Sequence, residues 1–152
     1  MGTHYRGTES EIRALDAYIK LMRSADSVSA RIHRHLSRVA LTPSQFGILE
    51  ALHHLGPLSQ LDLGKKLLRS RGNVTVVVDN LETRGLVRRK RNPRDRRFVS
   101  VGLTEEGRDL IQQIFKRHVE VIVQEMETLS PTELHEFSRL CRKLGRGERG
   151  GP

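Results

Sequence analysis

SRGNVTVVVDNLE, residues 70–82, sets five β-branched side chains in a row from Val74 to Val78. Local propensity alone favours a strand there. As a strand, Val74, Val76 and Val78 face one way and Thr75 and Val77 the other, and the run ends in Asp79 and Asn80, which strands disfavour. As a helix, Val74, Val77, Val78 and Leu81 fall at i, i+3, i+4 and i+7 and form one apolar face. The helical period accounts for more of the residues. Ser70 is placed to cap the N-terminus, and Thr83-Arg84-Gly85 supplies a basic last turn followed by glycine. Each β-branched residue costs about 0.5 kcal/mol relative to alanine in a helix. Burial of an aliphatic side chain returns on the order of 1.5–3 kcal/mol, so a helix with its valines inward is predicted.

The other face then carries Arg71, Gly72, Asn73, Thr75 and Val76. Arginine can pair in bidentate fashion with guanine and asparagine with adenine, and threonine or valine methyls can touch the thymine methyl. Gly72 removes a side chain where a backbone would have to approach closely.

Upstream, Thr42-Pro43-Ser44-Gln45 is a capping box with proline at the first helical position. It opens a helix that turns Phe46, Ile48, Leu49 and Leu52 inward and stops at Gly56-Pro57. Ser59 caps a short helix with Leu61, Leu63, Leu67 and Leu68 inward. Downstream, Leu86–Arg91 and Phe98–Leu103 flank Asn92-Pro93-Arg94-Asp95 as a β-hairpin. A short helix, a turn, a second helix and a basic hairpin make a winged helix-turn-helix, whose second helix enters the major groove.

The ends of the chain are helical by the same tests. Ile12, Leu15, Ile19, Met22, Ala25, Val28, Ile32 and Leu36 recur at steps of three and four, predicting one long amphipathic helix from near Glu11. A stripe that long exceeds what a small core can cover, so part of it is expected to pack on a second subunit. Thr104 to Gly107 begins another helix through Leu110, Ile111, Ile114, Phe115, Val119 and Ile122. Ser130-Pro131-Thr132-Glu133 opens a last helix through Leu134, Phe137, Leu140, Cys141 and Leu144. Residues 1–10 and the glycine-rich 146–152 are expected to be disordered.

The 152 residues carry a net charge of +9, and its location narrows the partner. Residues 69–97 alone hold 10 Lys and Arg against 3 Asp and Glu, whereas residues 104–152 hold 8 against 9. A patch this local suits a polyanion, and double-stranded DNA is the expected partner. No apolar run approaches the roughly 18 residues of a membrane span, and no secretion signal is visible, so a soluble cytoplasmic protein is expected. The single cysteine, Cys141, cannot form an internal disulfide and sits at an apolar position, where a small buried hydrophobe is expected. No nucleophile with a base partner, glycine-rich phosphate loop or metal motif appears, so neither an enzyme nor a cofactor is expected. His33 and His35 are expected on different helix faces and His118 has no histidine four residues away, so no metal site is expected.

The run from Leu63 to Gly107 resembles the winged helix-turn-helix of the MarR family of bacterial transcription regulators. The matching features are V-T-x-x-V-D-x-L (Val74, Thr75, Val78, Asp79, Leu81), R-G-L-V (Arg84 to Val87), D-x-R (Asp95 and Arg97) and L-T-x-x-G (Leu103 to Gly107). Their order is far more specific than a lone helix-turn-helix. The resemblance implies a mainly α fold with a small β-hairpin wing: one domain over 1–152, with dimerisation helices near 11–38 and 104–146 and a DNA-binding lobe near 42–103. It also implies a homodimer on a pseudo-palindromic operator, in many members a repressor released by a small anionic or phenolic effector. Ser70, Arg71, Gly72, Asn73, Thr75 and Val76 would form the reading helix surface. Arg97 would reach the minor groove, Asp95 would brace the wing through an ion pair, and Arg94 and Arg96 would add phosphate or groove contacts. An effector is expected where the first long helix, the Thr42-capped helix and the fifth helix meet the lobe, with no pocket residue assigned. A sequence-tolerant architectural DNA-binding protein without an effector is the alternative.

Overall fold

Leu36, Phe46, Ile48, Leu49, Leu63, Val74, Val78, Leu81, Val87, Val101 and Ile111, all essentially inaccessible to solvent, form the centre of one core. The computed structural model describes residues 4–67 and 71–147, and the side chains of Arg71 and Gly72 lie outside that description. The helices are α1 (Glu9–His33), α2 (Pro43–Leu55), α3 (Gln60–Leu67), α4 (Arg71–Thr83), α5 (Glu105–Met126) and α6 (Pro131–Arg146). The strands are β1 (Leu58–Ser59), β2 (Val87–Arg91) and β3 (Val99–Leu103). Among the described residues no helix is long and apolar enough to cross a membrane.

The chain divides into two compact units. One is Ser29–His118, which contains the core. The other comprises the described residues of 1–28 and 119–152.

In the Ser29–His118 unit the valine stretch is helical. Val74, Val78 and Leu81 are buried, and Val77 is half-buried against the same core. Gly85 ends α4 with φ 70°, while its N–H donates to Glu82 O and the Leu86 N–H to Leu81 O. These two bonds satisfy carbonyls that the helix end leaves unpaired. The expected Ser70 cap lies outside the described residues. At the start of α2 both bonds of the capping box form: Thr42 Oγ1 accepts from Gln45 N at 3.2 Å, and Gln45 Oε1 accepts from Thr42 N at 3.0 Å. Ser59 Oγ accepts from Asp62 N at 3.1 Å ahead of α3.

Two motifs close the wing onto α5. Thr104 Oγ1 donates to Gly85 O at 2.6 Å and accepts from Gly107 N at 3.0 Å, while Thr104 N donates to Leu86 O at 3.1 Å. The Leu86 carbonyl approaches α5 so closely that only glycine fits at 107.

Several expectations are corrected. β1 was not anticipated: Leu58 pairs with Val101 and Ser59 with Ser100, completing an antiparallel sheet of order β1-β3-β2. A two-residue strand carries no alternation to detect. The first helix does not continue regularly to Leu36, because Arg34–Val39 tightens into a 3₁₀ helix that ends at Ala40 with φ 50°. Leu61 is exposed rather than inward, and Leu68 lies outside the described residues. Helix α1 begins at Glu9, and α6 runs through Arg146.

In the other unit, α6 starts at a complete capping box, with Ser130 Oγ accepting from Glu133 N and Glu133 Oε2 from Ser130 N. Neither α1 nor α6 contains a buried residue. Cys141, expected to be buried, is exposed because the apolar face of α6 on which it sits is uncovered in the single chain.

Candidate nucleic-acid interface

Helix α4 is anchored by Val74, Val78 and Leu81, which fixes what its remaining positions present. Asn73 is exposed, and Val76 is 59% exposed, a large fraction for an aliphatic residue inside a helix. Thr75 is only half-buried and its hydroxyl is engaged, since Gln60 Nε2 of α3 donates to Thr75 Oγ1 at 2.9 Å. Thr75 therefore faces α3 as well as the outward edge, a correction to its reading as purely outward.

The same glutamine begins a network that the sequence reading missed. Arg89 of β2 donates from Nε to Gln60 Oε1 at 2.9 Å, and its guanidinium pairs with both Glu82 and Asp79 of α4. The Arg89 backbone N–H also donates to Glu82 Oε1 at 2.9 Å. The hydrogen bonds from Arg89, the backbone one first, hold the Glu82 carboxyl below the usual range despite the opposing effects of desolvation and Asp79. One arginine thus ties α3, α4 and β2 together and sets the hairpin against α4. The signal for it was present: carboxylates at i and i+3 in VDNLE, and an arginine on the strand position that alternates inward with Val87. At the far end of α4, Arg84 donates to Ala40 O at 2.7 Å and Val39 O at 3.2 Å.

The wing tip is a built turn. Asn92 N donates to Phe98 O at 2.9 Å, Phe98 N to Asp95 O at 3.0 Å, and Arg94 N to Asn92 Oδ1 at 2.9 Å. Asp95 then accepts from Arg97 three times: from the backbone N at 3.0 Å, Nε at 3.1 Å and Nη2 at 3.0 Å. The hydrogen bonds from the Arg97 side chain, followed by that from its backbone, hold the Asp95 carboxyl below its ordinary range. The Arg97 side chain is 88% exposed while paired. Asp95 therefore orients Arg97 outward. Arg94 and Arg96 are exposed beside it.

The histidines are less separate than their spacing suggested. His35 Nε2 and His118 Nδ1 lie 3.0 Å apart, the His33 ring stacks 5.8 Å from that of His118, and Phe46 packs 4.3 Å from it. The 3₁₀ segment after His33 changes the rotation per residue and brings His35 round to α5. Burial, then the charges of His35 and His33, push the buried His118 down to about 4. Among the described residues no group of three or more His, Cys, Asp or Glu can hold a metal ion.

With this geometry in place, residues 41–99 match the model of the MarR family. The transcriptional regulator MhqR of Bacillus subtilis (strain 168) is 32% identical over 133 residues, which cover 88% of this chain and 92% of that protein. BpsR of Bordetella bronchiseptica, whose DNA binding is regulated by 6-hydroxynicotinic acid, superposes with a TM-score of 0.75 at 26% identity, covering 95% of this chain and 98% of its own. Sco3205, a MarR family regulator of Streptomyces coelicolor solved in complex with DNA, gives a TM-score of 0.81 at 24% identity, covering 95% and 91%, a likeness of fold.

Proposed function

Because the chain belongs to the MarR family of DNA-binding transcription regulators, which are not enzymes, we propose that it acts as a homodimeric, sequence-specific repressor on a pseudo-palindromic operator. The observation that carries this reading is the Arg89 network, which holds the wing at a set position relative to α4. A sequence-tolerant coating protein has no need of that fixed geometry, whereas reading base edges and a neighbouring minor groove together requires it.

In this proposal Ser70, Arg71, Gly72, Asn73, Thr75 and Val76 form the reading surface. Arg94, Arg96 and Arg97, with Arg97 oriented by Asp95, contact the backbone and minor groove. Residues near 42–103 act as the DNA-binding lobe, and the flanking helices hold the dimer. Support for a dimer is the uncovered apolar side of α6, where Phe137, Leu140 and Leu144 are 43%, 48% and 66% exposed. Release by a small anionic or phenolic effector is supported by the likeness to BpsR.

The test compares Arg71→Ala with Arg97→Ala on specific and random duplexes over a range of salt. Arg71→Ala should lose about 1–3 kcal/mol at particular base pairs. Arg97→Ala should weaken all duplexes and lower the salt slope by about 1. Identical behaviour of the two variants on both duplexes would refute the division of roles.

A further inference from the structure

Phe98 and Leu144 are the most exposed large apolar side chains among the described residues, at 65% and 66%. Leu144 belongs to the apolar side of α6 already given to the dimer. Phe98 stands instead at the neck of the hairpin, between the Arg94-Asp95-Arg96-Arg97 tip and β3, and is not one of the hydrophobic residues packed on the core. Single apolar side chains are common on protein surfaces. What distinguishes this one is its setting. Residues 88–97 carry seven Lys and Arg against one Asp, so the ring is displayed inside a strongly basic surface. Its backbone is held on both sides, the N–H donating to Asp95 O at 3.0 Å and the carbonyl accepting from Asn92 N at 2.9 Å. Asp95 also holds the guanidinium of the neighbouring Arg97, and Asn92 Oδ1 accepts from Arg94 N. A large flat apolar group is thus fixed at its base, open at its tip and surrounded by cations.

We propose that Phe98 is a minor-groove wedge: its ring presses into a base step beside Arg97, and the protein thereby selects a deformable pyrimidine–purine step where Phe98 itself can form no hydrogen bond. The inference rests on the proposed role of the hairpin as a DNA contact. An apolar side chain that enters a step from the minor groove partly unstacks it, and TA and CA/TG steps resist this least. Burial of the ring offsets the unstacking, while arginines on the flanking phosphates hold the deformed duplex. A wedge needs a rigid base, which the bonds to Asp95 and Asn92 supply. Charge selects DNA among the possible occupants. The hairpin of a second copy is repelled by the same cations. A lipid surface gains little from one ring, since even a whole acyl chain anchors only marginally.

The test is selection from a pool of random duplexes by the parent and by Phe98→Ala at the same salt. The parent is expected to enrich TA or CA/TG at one fixed distance outside each half-site, and Phe98→Ala to enrich the same half-sites without that step. On the duplex selected by the parent, Phe98→Ala should bind about tenfold more weakly. With the step replaced by AA, its deficit should shrink to under about twofold. Phe98→Leu keeps an apolar wedge and should keep the step preference. The fluorescent analogue 2-aminopurine, placed at the adenine of the step, should brighten when the parent binds and stay quenched with Phe98→Ala. Equal urea midpoints of parent and variant show that the exposed ring is not needed for folding, and the 2-aminopurine signal of the parent is decisive without any variant. Half-sites enriched with no flanking step, a step preference that Phe98→Ala retains, or 2-aminopurine that stays quenched under the parent overturns the wedge and leaves the sequence-specific regulator standing. A pool recovered unchanged overturns both. Loss of binding to phosphatidylserine vesicles as the sole effect of Phe98→Ala would give the ring to a lipid surface and overturn the wedge as well.

Discussion

A Cβ on Gly107 would lie 1.9 Å from the carbonyl oxygen of Leu86, backbone against helix, with no flexible side-chain tip to give way. Gly107→Ala is therefore expected to cost about 3 kcal/mol in urea unfolding, and a loss under about 0.5 kcal/mol would show that wing and α5 separate easily. The motif L-T-x-x-G was legible as a pattern, but its cause, the Leu86 carbonyl far upstream in sequence, was not. His118 makes a second prediction at this scale. Its folded pKa is lowered, so between about pH 6.5 and 4 the unfolded chain binds a proton that the folded chain refuses, and stability falls as the pH falls through that window. His35, lowered by burial and then by Arg117, His33 and Arg38, acts in the same direction. Between pH 7 and pH 5 the loss attributable to His118 is about 2 kcal/mol. His118→Phe should flatten that slope, measured as the difference in unfolding free energy at the two pH values, and an unchanged slope would remove His118 as its source.

At the scale of elements, one side chain fixes three of them. Arg89→Met keeps the aliphatic stem but leaves Asp79, Glu82 and Gln60 without their shared donor. The expected cost is about 1–2 kcal/mol, with faster amide exchange along β2 and weaker binding to all duplexes. Exchange rates equal to those of the parent would show that the wing is held by other contacts. The helices themselves were readable, because caps and apolar periods are local: Thr42 and Ser130 begin α2 and α6 as their sequences indicate, and the valine face of α4 is buried as its spacing requires. What escaped was non-local. β1 exists only by pairing with β3, and the histidines meet only because a 3₁₀ segment alters the phase of the chain ahead of α2. In the candidate site the exposed arginines of the wing were identified from charge and turn chemistry. The hold of Gln60 on Thr75, and of Arg89 on α4, required knowing which helix lies beside which strand.

At the scale of the whole molecule, the proposed dimer joins the uncovered side of α6 to the proposed two-part reading surface. Glutamate at both Leu140 and Leu144 puts charge on that apolar face, so the double variant should sediment as a monomer where the parent sediments as a dimer. Its affinity for a two-half-site duplex should fall by far more than its affinity for a single half-site. A parent chain that is monomeric at micromolar concentration with full affinity for a two-half-site duplex would contradict the dimer. The central claim, that a dimer reads sequence through α4 while its wings hold the flanking grooves, is tested most directly by selection from a pool of random duplexes at fixed salt. The account predicts enrichment of an inverted repeat whose half-sites are centred about one helical turn, roughly 10 bp, apart or a multiple of it. Recovery of the pool unchanged, with binding still tight and salt-dependent, would contradict it.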